Sequence, residues 1–238
     1  MSAPAAARTW AIVAAAGQGR RMDAGRPKQY LPLAGATVLE RAIRPLWSDA
    51  RIAAVIVVLA PDDEFWPKLP MAEAPRLRTA LGGATRQQSV LNGLVALAGR
   101  AAADDWVLVH DGARPCLGAE ELDTLIAAVE HDSVGGLLAV PLADTLKHAD
   151  ASGLRSDATV DRKALWCAQT PQMFRYQLLR TALEQAVAQG LQLTDEAAAV
   201  EALGHRPRLV RGSARNLKIT HREDLVLAEA LLREAGIK

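Results

Sequence analysis

The chain has 238 residues, of which half are hydrophobic and 23% are charged, and its formal net charge is +1. These values are typical of one globular α/β domain, and the near-neutral charge argues against a general nucleic-acid-binding protein. Two cysteines, Cys116 and Cys167, lie far apart and form no zinc or disulfide pattern, which favours the reducing cytoplasm. No apolar run is long enough to span a membrane, and the N-terminus lacks the pattern of a secretory signal.

The first part of the chain alternates between apolar strand patterns and amphipathic helix patterns. Residues 62–76 are polar and proline-rich, so we expect a short helix and a connection there. The alternation predicts a mostly parallel sheet with helices on both faces. We predict strands at 9–16, 52–60, 77–81, 105–110 and 135–140, and helices at 39–47, 86–97 and 119–130.

The pattern changes between residues 141 and about 164, where polar, charged and β-forming residues mix without a core periodicity. We interpret this stretch as an excursion from the sheet in the form of a hairpin arm. Thr194 is the predicted N-cap of the helix that starts at residue 195. The remaining predicted elements are strands at 165–169 and 208–210, and helices at 176–189, 195–203 and 222–235.

A loop with glycines and cations follows the first strand. Small residues such as Gly17 and Gly19 let the backbone N–H groups approach phosphate oxygens. Met22 stands where a dinucleotide-binding fingerprint needs its third glycine, which disfavours a dehydrogenase. The P-loop pattern of ATP- and GTP-binding proteins is also absent from this loop. The loop therefore predicts a polyphosphate site, with a solvated basic loop as the alternative, and its cations are Arg20, Arg21, Arg26 and Lys28.

A polar segment follows the strand at 105–110, at the edge where open α/β sheets hold ligands. Asp111 there can accept a substrate hydroxyl or bind a water of a magnesium ion, and Arg114 can hold a phosphate. A turn closed by an Asp111–Arg114 ion pair is an equally good interpretation. We expect His110 to be a packed residue of the strand end rather than a catalyst.

A second glycine-rich turn connects the strand at 77–81 to the next helix. Gly82 and Gly83 permit close approach to a flat base, and the Ser89 hydroxyl can donate to a base or sugar. The structural alternative is a helix N-terminus capped by Thr85, and both can hold together.

These segments are far more specific together than singly, and they occur in a fixed order. The set is Ala15-Ala16-Gly17-x-Gly19-x-Arg21-Met22, Pro27-Lys28-Gln29-Tyr30, Gly82-Gly83-x-x-Arg86-x-x-Ser89-Val90, Val109-His110-Asp111-x-Ala113-Arg114-Pro115, Asp144-Thr145, Thr170-Pro171-Gln172, Thr194-Asp195-Glu196 and Asn216-x-Lys218-Ile219-Thr220. It resembles the 2-C-methyl-D-erythritol 4-phosphate cytidylyltransferases of the non-mevalonate isoprenoid pathway, from about residue 9 to 235.

The resemblance implies a Rossmann-like nucleotidyltransferase fold of three layers, with residues 1–238 as one domain. It implies a cytoplasmic homodimer in which an arm at about 141–164 reaches into the partner. The implied reaction joins CTP and 2-C-methyl-D-erythritol 4-phosphate to give 4-diphosphocytidyl-2-C-methyl-D-erythritol and pyrophosphate. Mg²⁺ or another divalent cation would neutralise the triphosphate, with no assigned protein ligand.

The resemblance also implies roles for individual residues. Arg21 and Lys28 would stabilise the transition state at the α-phosphorus. The nucleotide would be held by a set of small residues and one hydroxyl: Ala15, Ala16, Gly17 and Gly19 at the triphosphate, and Gly83 and Ser89 at cytosine.

The acceptor pocket would be lined by the segment after the strand at 105–110 together with one threonine: Asp111, Gly112, Ala113, Arg114 and Thr170. Lys218, and Arg162 with Thr145 from the partner's arm, would place the attacking phosphate. Gly112 stands where relatives commonly have alanine, and Ala84 where some have an acidic residue, but backbone contacts at both positions would survive.

Two alternatives stay open. A ribitol 5-phosphate cytidylyltransferase would share the nucleotide half and differ in the acceptor pocket. A non-catalytic nucleotide-binding regulator would keep the glycines but could dispense with Arg21 and Lys28, both of which are present.

Overall fold

The computed structural model describes residues 7–17 and 26–237. Its strands are β1 (Thr9–Ala14), β2 (Pro32–Leu33), β3 (Ala36–Thr37), β4 (Ile52–Leu59), β5 (Leu77–Leu81), β6 (Trp106–Asp111), β7 (Gly135–Pro141), β8 (Leu146–Ala149), β9 (Ser156–Val160), β10 (Trp166–Arg175) and β11 (Arg208–Arg211). Its helices are α1 (Val38–Ser48), α2 (Arg86–Ala96), α3 (Ala119–Val129), α4 (Tyr176–Ala188), α5 (Glu196–Ala202) and α6 (Arg222–Glu234).

Seven of the strands form one sheet in the order β11-β7-β10-β6-β1-β4-β5. Neighbouring strands are parallel except at β10, which runs antiparallel to both β6 and β7. The predicted α/β fold with a mostly parallel sheet is confirmed. The reversal of β10 was not predicted, because the hydropathy of a strand does not encode its direction.

Helices cover both faces of this sheet, as the strand patterns predict. In β1, Ala11 and Val13 belong to the core that also contains Leu39 of α1, whereas Ile12 packs on the opposite face with Leu94 of α2. Successive side chains of a strand point to opposite faces, so a strand covered on both sides reads as one continuous apolar run. This arrangement places the carboxyl end of β1 in the middle of one sheet edge.

Some local elements differ from the sequence-based predictions. Residues 62–76 contain two short 3-10 helices, Trp66–Lys68 and Pro70–Glu73, where one short helix and a connection were predicted. The small hairpin β2–β3 was not predicted, because two-residue strands carry no periodic signal. Strand β10 continues to Arg175, well beyond the predicted end at residue 169.

The N-cap of α5 is Asp195 rather than Thr194. The Asp195 carboxylate accepts a hydrogen bond of 2.9 Å from the Ala198 N–H. Both residue types are good caps, and the correct one is decided by where the chain turns into the helix.

The predicted hairpin arm is present as β8 and β9, which form a separate two-stranded antiparallel sheet. All residues of both strands are exposed. The register shifts between His148 and Ala149. In the part of the chain that the structure describes, no helix is both long and apolar enough to cross a membrane.

Candidate active site

A cleft of about 790 Å³ opens at the carboxyl ends of β1, β4 and β6. Open α/β sheets hold their ligands at this edge. Six segments form its walls: the small residues after β1, Lys28 with Gln29, residues 60–62 after β4, the turn before α2 with the start of that helix, the end of β6, and the segment before α6. The cleft therefore collects most of the motifs that the sequence presents separately.

The loop after β1 is anchored through its backbone. The Ala15 N–H donates to the Val58 carbonyl over 2.9 Å, and the Gln29 side-chain amide donates to the Ala15 carbonyl over 2.8 Å. The predicted site residues Gly19 and Arg21 lie outside the described residues. On the described side, the loop presents small residues to the cleft.

The turn before α2 is held together by the Ser89 hydroxyl. This hydroxyl accepts from the Gly83 N–H at 3.0 Å and donates to the Thr85 carbonyl at 2.8 Å. A Cβ atom on Gly82 would lie 2.3 Å from the Ala16 Cβ, so only glycine allows this turn to pack on the first loop. Ser89 thus shapes the predicted base-binding turn from within, and Thr85 caps the helix as predicted.

Asp111, at the end of β6, is the electrostatic centre of the cleft. Its carboxylate is buried, and three cations surround it: Arg86 Nε at 3.0 Å, Lys218 Nζ at 2.7 Å and Arg114 Nε at 3.9 Å. Burial alone would raise the pKa of Asp111, but Arg86, then Lys218 and Arg114, hold it well below its usual range. Asp111 is therefore ionised at neutral pH.

Arg86 joins Asp111 to a second carboxylate. Its two terminal nitrogens bind the two oxygens of Glu196 at 2.6 and 3.0 Å. Burial alone would lower the pKa of Arg86, but the two carboxylates beside it raise that pKa above its ordinary value. One guanidinium thus bridges the end of β6 and the start of α5.

A hydroxyl and an imidazole fix the backbone behind Asp111. The Thr170 hydroxyl accepts from the Asp111 N–H at 3.0 Å and lies 3.0 Å from His110 Nδ1, while His110 Nε2 lies 3.0 Å from the Arg114 carbonyl. All three bonds are satisfied when the proton sits on Nε2 and Thr170 donates to Nδ1. Burial lowers the pKa of His110 to about 4, so the ring is neutral at pH 7 and serves as the predicted packed residue.

The last predicted site segment is tied to Arg114 through Asn216. Arg114 Nη1 donates to the Asn216 carbonyl at 2.7 Å, and the Asn216 side-chain amide donates to the Thr170 carbonyl at 2.8 Å. Asn216 is fully buried. Its role in the motif is to connect three chain segments behind the cleft.

Two further bonds bring Lys218 to the cleft. The Ile219 N–H donates to the Ala113 carbonyl at 2.8 Å, and Lys28 Nζ donates to the Ile219 carbonyl at 2.6 Å. Residues 28 and 218, separated by most of the chain, therefore line the same cleft.

Comparisons with known proteins show which family this chain belongs to. The family model described as IspD, 2-C-methyl-D-erythritol 4-phosphate cytidylyltransferase, matches residues 9–234. The chain belongs to this family. A relative of that name from Dechloromonas aromatica (strain RCB) is 54% identical over 228 residues, which cover 95% of this chain and 98% of the relative.

Solved structures from this family have the same fold. The 2-C-methyl-D-erythritol 4-phosphate cytidylyltransferase of Francisella tularensis is 32% identical, with a TM-score of 0.83, and the alignment covers 95% of this chain and all of that one. The enzyme of the same name from Thermus thermophilus is 36% identical, with a TM-score of 0.77 over 94% and 98% of the two chains.

Within this IspD-family chain, the predicted site residues that the structure describes fall into three groups. Most line the cleft: Ala15, Ala16, Gly17, Lys28, Gly83, Ser89, Asp111, Gly112, Ala113 and Lys218. Arg114 and Thr170 lie behind Asp111 and contact it. Thr145 and Arg162 flank the arm strands, are exposed, and do not belong to the cleft wall of their own chain.

Arg86 and Glu196 both occur in the sequence motifs, but their residue types and positions predicted no chemistry for either. Each is the first residue of its helix, α2 and α5 respectively. Nothing in the linear sequence pairs two residues that are 110 positions apart. Only the folded chain reveals that they act as one unit with Asp111.

The described residues do not form a carboxylate site for a divalent cation. Across residues 7–17 and 26–237, no group of three or more His, Cys, Asp or Glu side chains is arranged to hold a metal. Both oxygens of Asp111 are bound by cationic side chains. A divalent cation in this cleft would therefore depend on phosphate oxygens brought by the nucleotide, and the described residues do not favour Asp111 as its ligand.

Proposed function

We propose that the cleft transfers a cytidylyl group from CTP to 2-C-methyl-D-erythritol 4-phosphate and releases pyrophosphate. The function follows from membership of the IspD family. One observation supports its location: the small residues after β1, Lys28 and the Asp111–Lys218 pair line one cleft. Such a cleft offers a donor side and an acceptor side with different chemistry.

The donor side suits a nucleotide. Backbone groups of Ala15 to Gly17 would surround the triphosphate, and Gly83 would lie against cytosine, with the turn shaped by Ser89. Arg21, beyond the described residues, and Lys28 would stabilise the negative charge that develops at the α-phosphorus. Fixed charges aimed at developing charge are the largest catalytic contribution in many enzymes.

The acceptor side suits a polyol phosphate. The ionised Asp111 can accept a hydrogen bond from an acceptor hydroxyl, and Lys218 can bind its phosphate. An oxygen of this phosphate would attack the α-phosphorus in line, so that a new P–O bond forms while the bond to the β-phosphate breaks and pyrophosphate leaves. No protein nucleophile is needed, because positioning and charge stabilisation suffice.

Mg²⁺ or another divalent cation would accompany the triphosphate. When bound, such an ion would neutralise phosphate charge. Binding to the nucleotide's own oxygens is consistent with a cleft whose buried carboxylate, Asp111, is already occupied by cationic side chains.

We also propose that the chain is one domain that acts as a cytoplasmic homodimer. The arm of β8 and β9 has no core of its own, and two-stranded sheets are marginally stable alone. Apolar side chains on the arm and just after it are more than a third exposed: Leu146 and Val160 on the arm, and Leu165 and Trp166 where the chain returns to the main sheet. A partner subunit would cover them and receive Thr145 and Arg162 in its acceptor site. Both cysteines are free thiols, consistent with the cytoplasm.

The acceptor is tested by pyrophosphate release from CTP with each candidate polyol phosphate at equal concentration. We expect faster turnover with 2-C-methyl-D-erythritol 4-phosphate than with ribitol 5-phosphate. The reverse order would move the assignment to the ribitol enzyme. Nucleotide binding without turnover of either acceptor would favour the regulator.

The shared site is tested by mixing two defective variants, Asp111→Asn and Arg162→Ala. If the arm completes the partner's site, half of the dimers after subunit exchange contain one intact site. We then expect recovery of about a quarter of the wild-type activity. If the arm serves its own chain, mixing recovers nothing.

A further inference from the structure

We infer that Glu196 is a positioning residue of the acceptor site, which acts through Arg86 to hold Asp111 in place when the acceptor phosphate takes Lys218. The inference rests on the proposed function of the cleft. Glu196 itself is absent from the cleft wall and is only 1% exposed, so it acts through another group.

Arg86 connects Glu196 to Asp111 through all three nitrogens of its guanidinium. Two nitrogens of its planar guanidinium bind both oxygens of Glu196, and the third, Nε, binds Asp111 Oδ1 at 3.0 Å. A bidentate pair of this kind fixes direction as well as distance. The orientation of Glu196 is therefore transmitted to the Asp111 carboxylate.

Lys218 is the cation that Asp111 would share with the acceptor phosphate. Lys218 Nζ binds the other oxygen of Asp111, and its side chain is 43% exposed on the cleft side. A phosphate that enters the cleft competes with Asp111 for this lysine. When Lys218 turns to the phosphate, Asp111 loses one of its cations, and Arg86 remains to keep it charged and oriented.

Arg86 also lines the cleft, where both substrates carry negative charge. Without a second carboxylate, its guanidinium would be attracted to those phosphates and leave Asp111. Glu196 counters this attraction from the buried side, because an arginine bound to two carboxylates has less to gain from a third anion. Glu196 thus keeps Arg86 bound to Asp111, while Lys218 is left to bind the acceptor phosphate.

The position of Glu196 is itself fixed. Asp195 caps α5, and Gln172 of β10 accepts from the Ala197 N–H at 2.8 Å and donates to the Asp195 carboxylate at 2.9 Å. Gln172 lies two residues after Thr170, whose hydroxyl binds the Asp111 backbone. Helix α5 is therefore anchored to the same strand that supports the acceptor side.

The test is the Glu196→Gln variant, which keeps shape but removes charge. We expect kcat/KM for the acceptor at saturating CTP to fall about tenfold to a hundredfold, because misplaced reacting groups cost rates of this order. The KM and calorimetric Kd for CTP should stay within about twofold. The matched control is Glu184→Gln, which removes a glutamate paired with Arg180 on the exposed face of α4 and should leave all constants unchanged.

A second measurement separates positioning from a general structural role. Glu196→Asp, which retains the charge, should recover part of the acceptor kcat/KM, and it also serves if Glu196→Gln does not fold. In an Asp111→Asn background, Glu196→Gln should cause little further loss, since both act on the same group.

Three results would overturn the inference: a wild-type acceptor kcat/KM in Glu196→Gln, equal losses for CTP and acceptor, or losses that add fully in the double variant. Failure of the wild-type chain to turn over either polyol phosphate would instead contradict the proposed function.

Discussion

The two halves of the cleft are built in different ways. The nucleotide half consists of backbone and small residues from two loops, each a continuous stretch of sequence. The acceptor half consists of charged side chains contributed by separate segments, with Asp111 in contact with Arg86, Arg114 and Lys218. Binding by backbone groups requires small side chains beside them, whereas buried charged side chains require partners of opposite charge.

This difference has a consequence for substitutions. A backbone contact survives most changes of side chain, so the nucleotide half is sensitive mainly to steric intrusion. In the acceptor half, each side chain also neutralises another buried charge, so its removal affects both binding and stability. Single substitutions and a change of pH can test this contrast, and their expected effects range from a loss of turnover to a small loss of stability.

Lys28→Ala should lower the rate of the chemical step more than it weakens the binding of CTP or of the acceptor. Loss of one preorganised donor to the transition state lowers kcat by about 10²–10³-fold. Pre-steady-state and steady-state pyrophosphate release measure it, with circular dichroism as the check on folding. The control is Lys68→Ala, which removes an exposed lysine beside Phe65. Wild-type kcat in Lys28→Ala would remove the assigned role.

Asp111→Asn should damage the acceptor half and spare the nucleotide half. The variant leaves three cations around a neutral amide, so we expect acceptor kcat/KM to fall about 100-fold and the free energy of unfolding to fall about 3 kcal/mol. Urea denaturation and separate titrations of the two substrates test it. Asp123→Asn, exposed and paired with Arg51, is the control. An equal rise in KM for CTP would contradict the contrast.

His110 should make the acceptor half sensitive to acid. Its pKa is about 4 in the folded chain against an ordinary value of 6.5, so the unfolded chain binds more protons between these two values. Stability from this residue is complete above pH 6.5 and is lost as the pH falls to about 4, a change of about 3 kcal/mol. Urea unfolding at pH 7 and pH 4.5 should therefore show a steeper loss for wild type than for His110→Gln. Equal losses of the free energy of unfolding in wild type and His110→Gln would refute this prediction.

Gly83→Ala should affect the nucleotide half alone. The added Cβ would lie 2.2 Å from the Gln88 Cγ, so the base-binding turn must shift. We expect KM for CTP to rise about tenfold, which corresponds to about 1.4 kcal/mol of overpacking. The acceptor KM is the internal reference, and Gly118→Ala, whose Cβ would meet nothing closer than 3.3 Å, is the control.

Asp195→Ala should have the smallest effect. It removes the N-cap of α5, which carries Glu196, and should lower the free energy of unfolding by about 1 kcal/mol. Thr194→Ala is the matched control and should be near neutral. A larger loss for Thr194 would restore the sequence-based assignment of the cap.

The linear sequence was enough to predict the alternation of strands and helices, the two glycine-containing turns, and the identity of most residues around the cleft. These features are local: a buried strand is a continuous apolar run, and a close backbone approach needs small residues. Motif order then indicated the family, and the family model matches nearly the same stretch.

The direction of β10, the cap of α5 and the contacts of Asp111 with Arg86 and Lys218 became apparent only in the folded chain. The Arg86–Glu196 and Lys28–Ile219 contacts join residues 110 and 191 positions apart. Hydropathy and spacing report the neighbours of a residue along the chain. A buried charge is neutralised by whichever groups the fold brings within a few ångströms, and that information appears only when the sheet is assembled.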